Sequence, residues 1–158
     1  MPAHNLSFKA TWTLGTYTVI LDANGGSVDP ASKTVIYTWQ YGGVPTPWRI
    51  GYTFAGWYFS EDEEDNAYGT RLTSDTVKVP GNHTLYAKWQ ALDYTVTFDA
   101  NGGDLETGSK TVTYLSRYGD LPIPVKPGHT FHGWYLSEDG NGNGTGTQVQ
   151  EDSIVDIP

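Results

Sequence analysis

Apolar and polar residues alternate in short stretches along this chain, and the stretches predict strands. Leu6, Phe8, Ala10 and Trp12 alternate with Ser7, Lys9 and Thr11, the period of two that marks a half-buried strand. Tyr17, Val19 and Leu21 form one face of the next strand, over residues 17–22. Two stretches are richest of all: Gly51-Tyr52-Thr53-Phe54-Ala55-Gly56-Trp57-Tyr58 and Gly128-His129-Thr130-Phe131-His132-Gly133-Trp134-Tyr135. Aromatic and β-branched residues at this density favour a strand. Regular alternation puts Tyr52, Phe54 and Gly56 on one face and Thr53, Ala55 and Trp57 on the other. A glycine inside a strand marks a bulge or a close backbone approach. Gly56 and Gly133 are therefore expected to let a neighbouring element pack beside Trp57 and Trp134. An indole can bury about 150–250 Å², so each of these Trp residues is the expected centre of a core.

The segments between strands carry turn chemistry. Asn24-Gly25 and Asn101-Gly102 suit a type I′ turn, which needs positive φ at both central residues. The chain should reverse there and return over 33–37 and 110–114, with 26–31 irregular. Pro45 and Pro47, like Pro122 and Pro124, lack donors and force their predecessors into extended geometry. Residues 41–47 and 118–124 therefore read as polyproline-like crossovers. Residues 60–70 are acidic and 137–147 glycine-rich; both read as exposed loops. Thr73, Ser74 and Asp75 are good caps, so 72–75 is expected to form one helical turn. Residues 76–79 and 83–89 read as further strands. No segment holds a helical period. The fold class is mostly β (α+β at most), with little helix.

The chain repeats itself. Tyr17 falls on Tyr94, an offset of 94 − 17 = 77 residues, and the second copy lies over the first without a gap. Asp22-Ala23-Asn24-Gly25-Gly26 matches Asp99-Ala100-Asn101-Gly102-Gly103, and Ser32-Lys33-Thr34-Val35 matches Ser109-Lys110-Thr111-Val112. Solenoid units run about 20–50 residues because one unit cannot bury its own core. A unit near 77 residues can fold alone, so the expectation is a string of small domains. At the same offset Asn5-Leu6-Ser7-Phe8-Lys9-Ala10-Thr11-Trp12 falls on Asn82-His83-Thr84-Leu85-Tyr86-Ala87-Lys88-Trp89. The expected organisation is residues 1–13 as the last strand of a preceding repeat (or the first strand of repeat 1), 17–90 as repeat domain 1, and 94–158 as repeat domain 2 lacking its closing strand. Residues 5–12 of another molecule have the sequence to fill such a gap, so self-association by strand exchange is expected.

Composition narrows the function. At 158 residues the chain suits one or two small domains. A net charge of −9 argues against a phosphate-binding surface, and so against a nucleic-acid partner. No apolar run approaches about 18 residues, so no membrane span is expected in these residues. Zero Cys excludes disulfides and thiolate metal sites.

Taken together, Tyr-Thr-Val-Thr-Phe-Asp-Ala-Asn-Gly-Gly, Lys-Thr-Val, Gly-Tyr-Thr-Phe-x-Gly-Trp-Tyr and Thr-Leu-Tyr-Ala-Lys-Trp resemble the Listeria–Bacteroides repeat, also called the internalin B-repeat. The resemblance covers residues 17–89 fully and 94–157 except for the closing strand; residues 5–12 resemble the end of a third copy. It implies tandem small β-grasp (ubiquitin-like) domains of an extracellular bacterial protein, on the cell surface or secreted. It also implies a spacer, stalk or adhesion role, and it brings no catalytic residues to transfer. The second copy departs from the pattern at His129 and His132, where the first has Tyr52 and Ala55.

The remaining residues offer little chemistry. Nucleophilic catalysis needs Ser or Cys with His and an acid in reach, and the His positions do not recur between copies, so no enzyme is expected. On a strand His129 and His132 point to opposite faces, which makes them poor joint metal ligands. Asp139-x-Asn141-x-Asn143-Gly144 resembles the first half of a calcium loop, but the twelfth position is Gln150, without the bidentate carboxylate. Lys33 and Lys110 sit on strands, where an isopeptide bond would need a neighbouring amide and acid. No catalytic, cofactor-binding or metal site is assigned, and no cofactor is expected. Trp39 and Trp48 have Ser116 and Val125 as counterparts. Positions free to change this much are not shared core. They are the candidates for an exposed adhesive surface, joined by the acidic loop of Glu61 to Asp65, with a host protein or a glycan as the partner. Calorimetric titration of the chain with calcium is expected to give no binding heat; a saturable isotherm would restore the Asp139 loop as a site.

Overall fold

The computed structural model describes residues 7–59, 69–73, 76–138 and 144–156. Strands, turns and irregular segments make up the described residues, and no helix occurs among them. The chain divides into two compact units: Met1–Trp48 with Phe54–Lys88, and Arg49–Thr53 with Trp89–Pro158.

In the first unit, β1 (Thr16–Asp22) and β2 (Ser32–Ile36) pair antiparallel, with Thr18 opposite Thr34 and Val19 opposite Lys33. With β3 (Tyr52–Tyr58) and β4 (His83–Ala91) they make a four-stranded sheet of order β2-β1-β4-β3. The strand latest in sequence thus lies inside the sheet. It runs parallel to β1, with Leu21 opposite Leu85. A parallel pair requires a long crossover, which the intervening residues supply with β2, β3 and the Pro45–Pro47 segment. The strand order is consistent with a β-grasp sheet, and no helix occurs among the described residues of the crossover. Alternation along the strands delivers the core: Val19, Leu21, Val35, Trp57, Leu85 and Ala87 are buried, and Val19, Leu85 and Ala87 are fully so.

The predicted turn is present in both copies. Asn24 and Gly25 have φ of 44° and 80°, and Asn101 and Gly102 have 48° and 75°. Gly26 N–H donates to the Ala23 carbonyl at 3.0 Å, and Gly103 N–H to Ala100 at 3.0 Å. The side chains of Asp22 and Asp99 each accept from the Asn backbone N–H at 2.8 Å, which tolerates the left-handed geometry.

The second unit holds β5 (Asp93–Thr97) paired with β6 (Ser109–Thr113), and β7 (Trp134–Glu138) paired with β8 (Gly144–Val149). These are two separate two-stranded sheets. No strand lies between β5 and β7 among the described residues. The core comprises Val112, Tyr118 and Val155, with Tyr94, Val96, Leu121 and Val149 against it.

Several expectations are corrected. Residues 129–133 carry no strand, although their counterparts in β3 do; strand geometry depends on a neighbour, and β3 has β4 beside it. Residues 7–12 carry no strand either, and Phe8 is 97% exposed; the edge of β1 is occupied by β4. Gly56 and Trp57 are both buried, so alternation breaks where Gly56 adopts φ 137°. Residues 144–147 belong to a strand, not a loop, and a register shift between Tyr135 and Ser137 absorbs the irregularity. Residues 76–79 supply a single bridge, Thr76 to Gln40, in place of a strand. The acidic loop, the calcium-like Asp139–Asn143 stretch and Ser74-Asp75 lie outside the described residues. The copies are also not gapless. Thr38 N–H donates to Val77 and Leu115 N–H to Val155, so the first partner is offset by 77 and the second by 78: one extra residue sits before Val155.

Trp57 is 5% exposed, whereas Trp134 is half-buried. Trp57→Ala is expected to destabilise the first unit by about 3–5 kcal/mol, and Trp134→Ala to cost the second unit less. Residue-resolved hydrogen exchange, which follows each unit separately, checks the order; equal losses would contradict it.

Candidate functional site

Both Trp side chains at the heart of the repeat are held by one interaction. Trp57 Nε1–H donates to the Pro45 carbonyl at 3.0 Å, and Trp134 Nε1–H to the Pro122 carbonyl at 2.8 Å. A proline carbonyl keeps its acceptor capacity while the ring removes the competing donor. The interaction pins the crossover to the strand that carries the indole. Phe54 and Phe131 lie edge-on to their indoles, with centroids 5.5 and 5.4 Å away. Next to each indole the backbone turns at Gly56 or Gly133, with φ of 137° and 126°. Side chains occupy the space a Cβ would take: Arg71 lies over Gly56 and Gln148 over Gly133. The expected close approach is thus present, made by a side chain from the following segment. Gln148 Nε2–H also donates to the His132 carbonyl at 3.0 Å.

The lysines fasten the same crossover from β2 and β6. Lys33 Nζ donates to the Gly43 carbonyl at 2.9 Å and Lys110 Nζ to the Asp120 carbonyl at 2.7 Å. Their role is a charge-assisted hydrogen bond to backbone. Tyr41 and Tyr118 are buried in the two cores. The Tyr41 hydroxyl meets His83 Nε2 at 2.8 Å, and His83 Nδ1 meets the Gly81 carbonyl at 2.9 Å. A carbonyl only accepts, so Nδ1 carries a proton, and Nε2 shares a hydrogen bond with the Tyr41 hydroxyl. Burial pushes the Tyr41 phenol above its ordinary pKa; burial and then the charge of Asp156 do the same at Tyr118.

The two units differ where ligands could reach. Trp39 and Trp48, the predicted adhesive residues, are 58% and 62% exposed. Trp48 pairs through its backbone with Ser27, and Trp39 through its carbonyl with Val77 N–H. The indoles therefore project from a backbone that is itself tied down. The second unit instead has an open cleft of about 820 Å³, lined by Tyr94, Val96, Phe98, Trp134, Leu136 and Val149 among others. A second hollow of about 520 Å³ touches Trp134 with Leu121, Ile123 and Phe131. Trp134 borders both hollows. Phe98 reaches the Trp134 ring at 4.9 Å between centroids, from the position Leu21 occupies in the first unit. His129 and His132, both exposed, also border the large cleft. His129 Nδ1 bonds the Pro127 carbonyl at 2.9 Å. No cluster of metal-ligating side chains occurs among the described residues, and no helix there is long and apolar enough to cross a membrane. The alternation of the second copy places Val96, Phe98 and Leu136 along this cleft, a role that periodicity alone does not mark.

Comparison with known proteins gives a consistent picture. The model of the Listeria-Bacteroides repeat domain matches twice, over residues 17–88 and 94–155. A protein of Evansella cellulosilytica named as a Gly-rich membrane protein is 32% identical over 142 residues, covering 87% of this chain and 15% of that protein. Internalin H of Listeria monocytogenes is 35% identical over 128 residues, covering 78% of this chain and 21% of its own length. The chain thus spans a fifth or so of such relatives at most.

The phenol shifts set an alkaline limit. A folded pKa above the unfolded one means that the unfolded chain releases its proton first. The stabilisation is full below the ordinary value of 10.0 and is lost as pH rises through the folded value. Denaturant midpoints measured at increasing pH should fall across this window, and Tyr41→Phe with Tyr118→Phe should flatten the fall. An unchanged slope in the double variant would assign the loss to other groups.

Proposed function

The chain belongs to the Listeria-Bacteroides repeat family, and we propose that it acts as a non-enzymatic spacer or adhesion module of a bacterial surface or secreted protein. The observation that carries this reading is how the two copies use their shared residues. Trp57 and Trp134, Lys33 and Lys110, Gly56 and Gly133, and the two Asn-Gly turns all hold the scaffold together. What recurs is architecture, as a spacer built by repetition requires. The similarity to Internalin H supports an extracellular setting.

A second reading has its own support. Trp39 and Trp48 are large exposed aromatics present in one copy only, and exposed aromatics serve binding surfaces more than folding. On this reading the first repeat recognises a host protein or a glycan.

A glycan array and a cell-surface binding assay separate the two. Because both indoles are exposed, Trp48→Ala and Trp39→Ala should leave the fold intact. A spacer predicts that neither substitution changes retention on cells or glycans. At least a tenfold loss of binding in Trp48→Ala would move the function to the aromatic surface.

A further inference from the structure

We propose that the Asn101-Gly102 turn is a self-modification site, where the Gly102 backbone nitrogen displaces ammonia from the Asn101 side chain and Lys126 promotes the step. The reaction needs water and no enzyme. It goes beyond the spacer reading and does not rest on it.

The turn leaves the attacking nitrogen open. Gly103 N–H closes the turn on the Ala100 carbonyl at 3.0 Å, and Asn101 N–H donates to Asp99 Oδ1 at 2.8 Å. Gly102 N–H lies between these two donors. It is exposed and has no acceptor among the described residues. Glycine also carries no side chain to shield its nitrogen.

Lys126 acts on the same peptide group. Its Nζ donates to the Asn101 backbone carbonyl at 2.8 Å, and it stands 3.6 Å from the place a Gly102 Cβ would take. That carbonyl oxygen and the Gly102 nitrogen are the two ends of one conjugated amide. Loss of the Gly102 proton therefore spreads negative charge onto the oxygen that Lys126 already holds. A hydrogen bond from a cation favours the charged form. The ammonium thus makes Gly102 N–H more acidic and raises the fraction present as the nucleophile.

The steps balance with water alone. Hydroxide takes the Gly102 amide proton, and the nitrogen bonds to Asn101 Cγ. The Cγ–Nδ2 bond breaks, and Nδ2 leaves as ammonia with a proton from water. The cyclic imide that results is opened by water. Attack at Cγ gives aspartate, and attack at the main-chain carbonyl gives isoaspartate, linked through its side chain. One amide and one water become one carboxylic acid and ammonia, with no change in oxidation state. Either product places a carboxylate beside Lys126, and isoaspartate also lengthens the main chain of the turn by one atom.

The test is timed incubation of the whole chain at neutral pH, followed by digestion and peptide-resolved mass spectrometry. Asn141-Gly142 and Asn143-Gly144 also occur in the chain, so conversion is read peptide by peptide, with Asn24-Gly25 as the internal reference. Wild type should accumulate aspartate and isoaspartate at position 101. Lys126→Met should slow this conversion roughly twofold to fivefold, the range for one exposed charge contact, and leave the rate at Asn24 unchanged. Lys126→Arg keeps the charge and the donor and should restore the wild-type rate. The Lys126 side chain is exposed, so neither substitution removes a core contact. No conversion at Asn101 in wild type overturns the proposal. So does an unchanged or faster rate at Asn101 in Lys126→Met, or an equal slowing at both turns.

Discussion

The first unit depends on the insertion of β4 between β1 and β3. A strand in the middle of a sheet satisfies the backbone groups of two neighbours at once, and an unpaired buried N–H or C=O carries a free-energy cost comparable to a lost hydrogen bond. β4 also brings Leu85 and Ala87 into the centre, where both are fully buried. The second unit is a natural comparison. It has nearly the same residues in β5, β6 and the Trp134 segment, yet no strand between β5 and β7 among the described residues. Its sheet is split, its Trp is half-buried, and the stretch that is strand in β3 up to Gly56 has no strand in 129–133. The difference lies in the neighbour and not in local propensity.

What survives without β4 is equally informative. The indole-to-proline hydrogen bond, the lysine-to-carbonyl bond and the Asn-Gly turn have closely similar geometry in both units. All three connect elements close in sequence, so they need little loop closure. They form a local frame onto which the long-range strand is added. Phe98, larger than Leu21 at the same position, contacts the Trp134 ring.

This division also organises the functional reading. Shared positions serve the frame, while Trp39 and Trp48, which are Ser116 and Val125 in the second copy, are exposed. Repetition of a frame suits a spacer. Variation of the surface gives each copy room to acquire its own contacts.

The repeat, the mostly β class, the Asn-Gly turns, the helix-free proline segments and the central role of Trp57 were legible in the sequence, because each rests on local chemistry: period-two alternation, positive φ, a missing N–H. The exposure of Trp39 and Trp48 was legible too, from the freedom of those positions to change between copies. Tertiary structure decided the rest. It decided that β4 lies inside the sheet, that Gly56 breaks alternation so that Trp57 turns inward, and that 144–147 pair with β7. It also placed the one-residue slip before Val155. Each of these depends on which strand stands beside which, a contact between residues far apart in the chain, and hydrophobic patterning fixes the face of a strand without naming its neighbour.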